Sequence, residues 1–100
     1  MDYWKLVKKL FKSDSFNVAK SIEEFDRDKH DGIIHYDCLC LRRENLEKKI
    51  RKVFRGVRIN DVIKALLSQD ALKLVNSKNS VQISGLQGIR FYAIWLEMLD

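Results

Sequence analysis

The sequence predicts a small α+β fold of the winged helix-turn-helix class. Two amphipathic helices follow each other closely between residues 42 and 69, two short alternating stretches come next, and an apolar stretch at 89–96 closes the chain. Two helices joined by a tight turn form a helix-turn-helix, and a hairpin directly after them completes the winged-helix arrangement.

The two central helices are predicted from the spacing of their apolar residues. In the first helix these residues fall at i, i+4, i+7 and i+8, at Leu46, Ile50, Val53 and Phe54. In the second they fall at i, i+3, i+4, i+7 and i+8, at Ile59, Val62, Ile63, Leu66 and Leu67. Each spacing places one apolar stripe on a helix. Gly56 lies between the runs and indicates a very short turn, so 42–69 is predicted as the helix-turn-helix.

Two further helices are predicted within residues 1–30. Residues 3–12 suit a short amphipathic helix, and residues 16–27 suit a second one because Val18, Ile22 and Phe25 are spaced i, i+4 and i+7. The polar segment 26–32 that follows is predicted to be a loop. It is not a calcium-binding loop, since that motif needs glycine at its sixth position and glutamate at its twelfth, where this chain has Asp31 and Asp37.

The predicted strands lie on both sides of the helix-turn-helix. Residues 32–34 and 38–41 are expected to be short extended pieces. Residues 71–76 and 80–84 alternate enough for a hairpin, with a polar turn at 77–79. The closing stretch 89–96 is apolar on both faces, so we expect a core strand beside the hairpin or beside the extended piece before Arg42. The wing and closing strand together span 71–96.

Size and charge restrict the possible functions. One hundred residues make one domain, 1–100, or a fragment of a larger protein. The formal charge of +5 and the pI near 9.3 favour anionic partners. Residues 42–64 contain nine Lys or Arg and three acids, a local charge of +6, whereas residues 21–41 are net −4. No stretch approaches the roughly 20 apolar residues of a membrane span, and the charged N-terminus does not fit a signal peptide. A cytoplasmic location without membrane contact is therefore expected.

The sequence contains no pattern that predicts catalysis, a metal site or a cofactor. Cys38 and Cys40 share a face of a predicted strand, but two ligands do not make a zinc site, and we interpret them as reduced, buried, structural thiols. His30 and His35 belong to no metal or triad motif. Gly-rich phosphate loops are absent from the sequence. We therefore predict a protein that is not an enzyme.

From about residue 16 onward the chain resembles the C-terminal winged-helix-like domain of bacterial phage and mobile-element helicase/primase-like proteins. The residues that carry the resemblance are Gly-Ile-Ile at 32–34, INDVIKALLSQDALKL at 59–74 and GIRFYAIWL at 88–96. The resemblance implies an accessory domain of a replication protein, attached to an ATPase or primase domain of the same protein. The chain departs from the winged-helix pattern at Asp70, where a glycine often closes the second helix.

Duplex DNA is the predicted partner, since a helix fits the major groove while neighbouring cations contact phosphates. Asn60 is expected to read adenine, and Lys64 to contact guanine or a phosphate. The predicted outward face also holds Asp61, which suits phosphates poorly, together with Ala65 and Ser68. The remaining nucleic-acid-binding candidates are the cations of the first helix, the turn and the wing: Arg42, Arg43, Lys48, Lys49, Arg51, Lys52, Arg55, Arg58, Lys73 and Lys78.

Three alternatives remain open at the level of sequence. The cations can form an ordinary solvated face with i, i+4 pairs such as Glu44–Lys48. The outward face can instead dock on another protein or on a second copy of the chain. Single-stranded DNA would require exposed aromatic side chains for stacking, for which Trp4, Tyr36 and Tyr92 are the candidates.

Overall fold

The computed structural model describes residues 3–13 and 15–99, which form an α+β fold. This part of the chain contains three α-helices and a four-stranded mixed sheet, followed by one turn of 3₁₀ helix. The elements in chain order are α1 (Tyr3–Lys12), β1 (Val18–Ala19), β2 (Gly32–His35), β3 (Cys38–Arg42), α2 (Arg43–Val53), α3 (Ile59–Ser68), β4 (Phe91–Trp95) and the 3₁₀ turn (Leu96–Leu99).

The strands lie in the order β1-β2-β3-β4. The short β1 runs parallel to β2, and β2 and β3 form an antiparallel hairpin. The closing strand β4 pairs antiparallel with β3 over its whole length, from Cys38 opposite Trp95 to Arg42 opposite Phe91. The closing strand was expected beside the hairpin or beside the extended piece before Arg42, and the structure shows full pairing with the second of these.

Two separate apolar clusters cover the two faces of the sheet. On the helix face, side chains of all three α-helices pack on Leu39, Leu41, Tyr92 and Ile94. On the opposite face, which we call the loop face, the residues that alternate with these, including Cys40, Phe91 and Ala93, are covered by irregular segments. Alternate residues of a strand point to opposite faces. The prediction that β4 is buried on both sides is thus confirmed.

The three helices agree closely with their predicted ranges. In α3 the side chains of Val62, Ile63 and Leu66 are buried as expected. In α2 Leu46 and Ile50 are buried, but Val53 is 48% exposed, so the apolar stripe of that helix ends earlier than its spacing indicates. The turn between α2 and α3 contains Gly56 with a φ of +78°, a conformation that favours glycine.

The predicted second N-terminal helix is wrong. Residues 16–31 form β1 and a series of turns. The apolar residues explain the difference, because Val18 packs against the helix-face cluster while Ile22 and Phe25 pack against the loop-face cluster. The apolar stripe of a single helix cannot pack against two opposite faces of a sheet. The segment is held by local bonds instead, among them Asp31 N to Asn17 O at 2.7 Å.

The predicted wing hairpin is also wrong, so this is not a clear winged helix. Leu72 and Val81 each form a bridge with β4 rather than with each other. The amide of Lys73 donates to Ala93 O at 2.8 Å, and the amide of Val81 donates to Phe91 O at 2.8 Å. These segments satisfy the backbone groups along the edge of β4, which an independent hairpin would leave unpaired.

What remains of the wing is a tight turn. Val75 and Lys78 form a single bridge around Asn76 and Ser77, whose φ values are +54° and +62°. Positive φ at both central residues is typical of the type I′ turn of a two-residue hairpin. The turn is exposed and places Lys78 at the surface.

Candidate nucleic-acid interface

Three lysines of α2 lie together on one side of the helix. Lys48, Lys49 and Lys52 line a shallow cleft of about 210 Å³ with Asn45 and Asp31. Positions 45, 48, 49 and 52 share one face of a helix because they are spaced i, i+3, i+4 and i+7. We call the three lysines the lysine flank.

The lysine flank is partly ordered by an aromatic contact. Lys49 is half-buried, and its Nζ lies 5.7 Å from the centre of the Phe16 ring. A cation over an aromatic face is attracted by the ring quadrupole. Lys48 and Lys52 are exposed, so their ammonium groups are available to an anion.

Asp31 is the acid of this cleft, and neutral donors hold it in place. Its Oδ1 accepts a hydrogen bond from Asn45 Nδ2 at 2.7 Å, and its Oδ2 accepts one from Asn17 N at 2.9 Å. Three lysines and one carboxylate leave the cleft with a charge of +2. Asp31 therefore fixes the 16–31 segment against α2 without cancelling the positive charge.

Arg42 and Arg43 belong to a different site at the start of α2. They line a pocket of about 500 Å³ with Arg27, Arg90, Glu44 and Glu47. The Nε of Arg43 lies 3.4 Å from Oε1 of Glu47, a long ion pair whose arginine side chain is 53% exposed. We call this site the arginine pocket.

Tyr92 lies beside this ion pair. Burial raises the pKa of the Tyr92 hydroxyl, and the Glu47 carboxylate raises it further, while the guanidinium of Arg43 opposes both effects. Tyr92 is thus neutral at physiological pH and packs in the helix-face cluster. It is not an exposed stacking surface.

The other candidates on α2 and its turn are open to solvent. Arg51, Arg55 and Arg58 are exposed. On α3, Asn60 and Lys64 are exposed one turn apart, so both point away from the core. These residues lie on the helix side of the sheet.

Asp61 and Ala65 occupy a different position from the one expected. Both are half-buried and line a groove with Tyr3 and Trp4 of α1. Lys64 and Ser68 line the same groove, so Asp61 lies close to Lys64 on the side of α3 that faces α1.

Lys73 lies apart from the α2 and α3 candidates. Its Nζ is 5.6 Å from the centre of the Trp95 ring, and Trp95 packs against the loop-face cluster. Lys73 also lines a small pocket with Cys38 and Cys40. It is therefore on the opposite face of the sheet from α2, because its pairing with β4 fixes the direction of its side chain.

Both cysteines are buried and form no disulfide, as predicted. Burial raises the pKa of the Cys40 thiol to about 12, and the neighbouring Cys38 adds to the rise. Burial also raises the pKa of Cys38. Within residues 3–13 and 15–99, no group of three or more His, Cys, Asp or Glu side chains is placed to hold a metal ion. No helix in the same ranges is long and apolar enough to span a bilayer.

Sequence reasoning missed Arg27 and Arg90. Each is an isolated arginine in a segment without regular structure, and no local pattern links them to Arg42 and Arg43. Backbone bonds bring the segments together, including Arg43 N to Arg90 O at 2.9 Å.

No protein-family model matches this chain, and no curated protein or solved structure is significantly similar to it. The resemblance to a domain of helicase/primase-like proteins stays a prediction.

Proposed function

We propose that the cationic surface of α2 and α3 binds duplex DNA. In this proposal the chain is a non-catalytic accessory domain of a bacterial replication or mobile-element protein. The observation that carries the proposal is the lysine flank, where three ammonium groups lie around one cleft that contains a single acid. Clustered cations release the counterions of DNA when they replace them at the phosphates.

The roles of the residues follow from their exposure. In the proposal Lys48 and Lys52 of the lysine flank contact phosphates, and Arg51, Arg55 and Arg58, which are exposed on α2 and in the turn after it, add further phosphate contacts. Phosphate contacts of this kind position a protein on the duplex without reading its sequence.

Base reading falls to α3. Asn60 and Lys64 are its exposed polar residues at helical spacing, and an asparagine pairs with the edge of adenine while a lysine pairs with guanine.

The proposal keeps the two helices of the winged-helix interpretation but not its hairpin wing. The exposed turn at Val75–Lys78 takes the place of a wing, but Val75 lines the small loop-face pocket together with Lys73, so Lys78 is not counted in the proposed surface. Lys73 is left out of the proposed surface because it lies on the loop face beside Trp95.

Duplex DNA is favoured over single strands because the stacking candidates are not assembled. Tyr92 is buried, and Trp4 is half-buried at the side of the groove between α1 and α3. Tyr36 is 82% exposed, but it stands in the turn between β2 and β3. A stacking platform needs several exposed rings along a groove.

The test replaces four cations of α2 together. We expect Lys48, Lys49, Arg51 and Lys52, all changed to Glu, to abolish binding in titrations against duplex, single-stranded and forked DNA at two salt concentrations. The matched control changes four exposed lysines elsewhere, Lys9, Lys12, Lys20 and Lys29, to Glu. Both variants have the same net charge, so any difference between them reports the location of the cations.

Three results decide the proposal. Loss of binding in the α2 variant with retention in the control supports it. Equal loss in both variants contradicts a local surface, because it shows attraction to the overall charge alone. Absence of DNA binding by the wild-type chain also contradicts it.

A second candidate function is docking on another protein or on a second copy of the chain. The observation that favours it is a pair of exposed apolar residues where the chain enters the tight turn, Leu74 and Val75, which are 49% and 42% exposed. Sedimentation at increasing protein concentration tests self-association. A wild-type dimer that Leu74→Ser with Val75→Ser returns to monomers supports docking.

A further inference from the structure

The arginine pocket is lined by four arginines from three distant parts of the sequence. Arg27 comes from the turns after β1, Arg42 and Arg43 from the junction of β3 and α2, and Arg90 from the residue before β4. Backbone hydrogen bonds hold this arrangement: Arg43 N donates to Arg90 O at 2.9 Å, and Arg42 N donates to Asp31 O at 2.8 Å.

Two of the arginines are anchored by carbonyl groups rather than by acids. Arg27 Nη2 donates to Gln87 O at 2.9 Å, and Arg42 Nη1 donates to Arg27 O at 2.7 Å. A carbonyl orients a guanidinium and leaves its charge uncompensated, and an arginine has five N–H donors in total. Among residues 3–13 and 15–99, no carboxylate lies within 4.0 Å of the guanidinium nitrogens of Arg27, Arg42 or Arg90.

The acids of the pocket reduce its charge without removing it. Glu47 pairs with Arg43 at 3.4 Å, and Glu44 also lines the site. Four arginines and two glutamates leave a net charge of +2. The planar guanidinium fork matches the oxygens of a phosphate group better than a lysine ammonium group does.

We propose that the arginine pocket binds a phosphomonoester carried by a nucleotide, in the first place the terminal phosphate of a DNA strand. A phosphomonoester carries a charge of about −1.5 to −2 at pH 7, which matches the +2 of the pocket, whereas a phosphodiester of the DNA backbone carries only −1. The volume of about 500 Å³ lies within the range of small-molecule sites and exceeds the needs of a phosphate ion.

The proposal deepens the proposed function, because it gives the same domain a site for a strand end beside its surface for the duplex backbone. The two sites use different residues. The lysine flank lies on one side of α2, at Lys48, Lys49 and Lys52, and the arginine pocket lies at the first turn, at Arg43, Glu44 and Glu47. Each can therefore be disabled separately.

The experiment compares a 5′-phosphorylated oligonucleotide with the same oligonucleotide ending in a hydroxyl. We expect the phosphorylated strand to bind about tenfold more tightly, since hydrogen bonds between charged partners are the strong ones. Inorganic phosphate and a nucleoside monophosphate are added as competitors. If the nucleoside monophosphate competes and inorganic phosphate does not, the ligand of the pocket is a free nucleotide. If both competitors are weak, the ligand is the phosphate at the end of a strand.

The main variant is Arg90→Gln. Within the described part of the chain the side chain of Arg90 makes no hydrogen bond or ion pair, so this change removes charge from the pocket and leaves the fold intact. We expect it to remove the tenfold preference. Arg27→Gln is a second variant with the same expected result, and Lys20→Gln is a charge-matched control outside the pocket.

The outcome separates this inference from the proposed function. Equal binding of the two oligonucleotides by the wild-type chain, with no competition by the nucleotide, overturns the phosphomonoester site. A preference that survives both arginine variants also overturns it. If the α2 variant with four glutamates loses duplex binding but still binds the nucleotide, both proposals stand. If that variant keeps duplex binding, the proposed function fails while the pocket is judged by its own variants.

Discussion

The two faces of the sheet are covered in different ways. On the helix face, α1, α2 and α3 bury regular apolar stripes and turn their polar sides outward. On the loop face, irregular segments carry single apolar residues such as Ile22, Phe25 and Leu86 into the cluster. The comparison shows that helical packing leaves aligned cations at the surface. On the loop face, by contrast, the Lys73 ammonium group lies over the ring of Trp95. The surface for duplex DNA is therefore proposed on the helix face.

The largest expected effect tests whether the loop face is packed as tightly as the helix face. Phe91 is fully buried on the loop face, with its ring 6.1 Å from that of Phe25 in an edge-on arrangement. We expect Phe91→Ala to lower the free energy of unfolding by about 3–5 kcal/mol, and Leu46→Ala on the helix face by about 2–5 kcal/mol. Urea unfolding of both variants measures this. A loss below about 1 kcal/mol for Phe91→Ala would mean a loosely packed loop face.

The next effect concerns the sheet between the two faces. A Cβ at Gly32 would collide with the carbonyl oxygen of Cys40 and lie 3.1 Å from Leu41 Cα, so the backbone of β2 or β3 would have to move. We expect Gly32→Ala to lower the free energy of unfolding by about 2–3 kcal/mol.

Gly88 provides the matched control for this change. It has a φ of +81° and nothing within 4 Å of an added Cβ, so Gly88→Ala meets only the torsional penalty, about 1 kcal/mol. Thermal unfolding of the two variants compares a steric effect with a torsional one. A larger loss at Gly88 than at Gly32 would contradict the close approach of β2 and β3.

Much of the helix face is predictable from the sequence because its order is local. The stripes of α1, α2 and α3 and the alternation of β3 and β4 are contained in short windows, and these elements lie where they were expected. The two regions whose structure was predicted wrongly, 16–31 and 71–84, depend on contacts with distant parts of the chain. Val18 and Ile22 are separated by the sheet itself, and Leu72 and Val81 are ordered by the edge of β4.

The candidate site divides along the same line. The lysine flank can be predicted from the sequence, because its residues have i, i+3 and i+4 spacing within one helix. The arginine pocket cannot be predicted from the sequence, because tertiary structure brings Arg27, Arg42 and Arg90 together. The sequence predicts Lys73 in a wing, whereas its pairing with β4 places it on the loop face of the sheet.

A smaller effect tests how well the loop face excludes water. The pKa of Cys40 is raised by burial from the ordinary value of 9.0 to about 12, so the unfolded chain releases this proton at lower pH than the folded chain. The contribution of this thiol to the free energy of unfolding is therefore fully present below about pH 9 and is lost as the pH rises towards 12. We expect the melting temperature to fall over this range, and to fall less steeply in Cys40→Ala. Identical slopes in the two proteins would contradict the burial of the thiol.

The most direct test of the proposed DNA-binding surface is the salt dependence of duplex binding in two variants that remove cations from different faces of the sheet. The double variant Lys48→Gln with Lys52→Gln removes two proposed phosphate contacts, so the slope of log K against log salt should become shallower by roughly 1.8, at about 0.9 per contact. Lys73→Gln should leave the slope unchanged, because Lys73 lies on the loop face beside Trp95. An unchanged slope in the double variant, or an equal change in both, would contradict the assignment of DNA binding to the helix face.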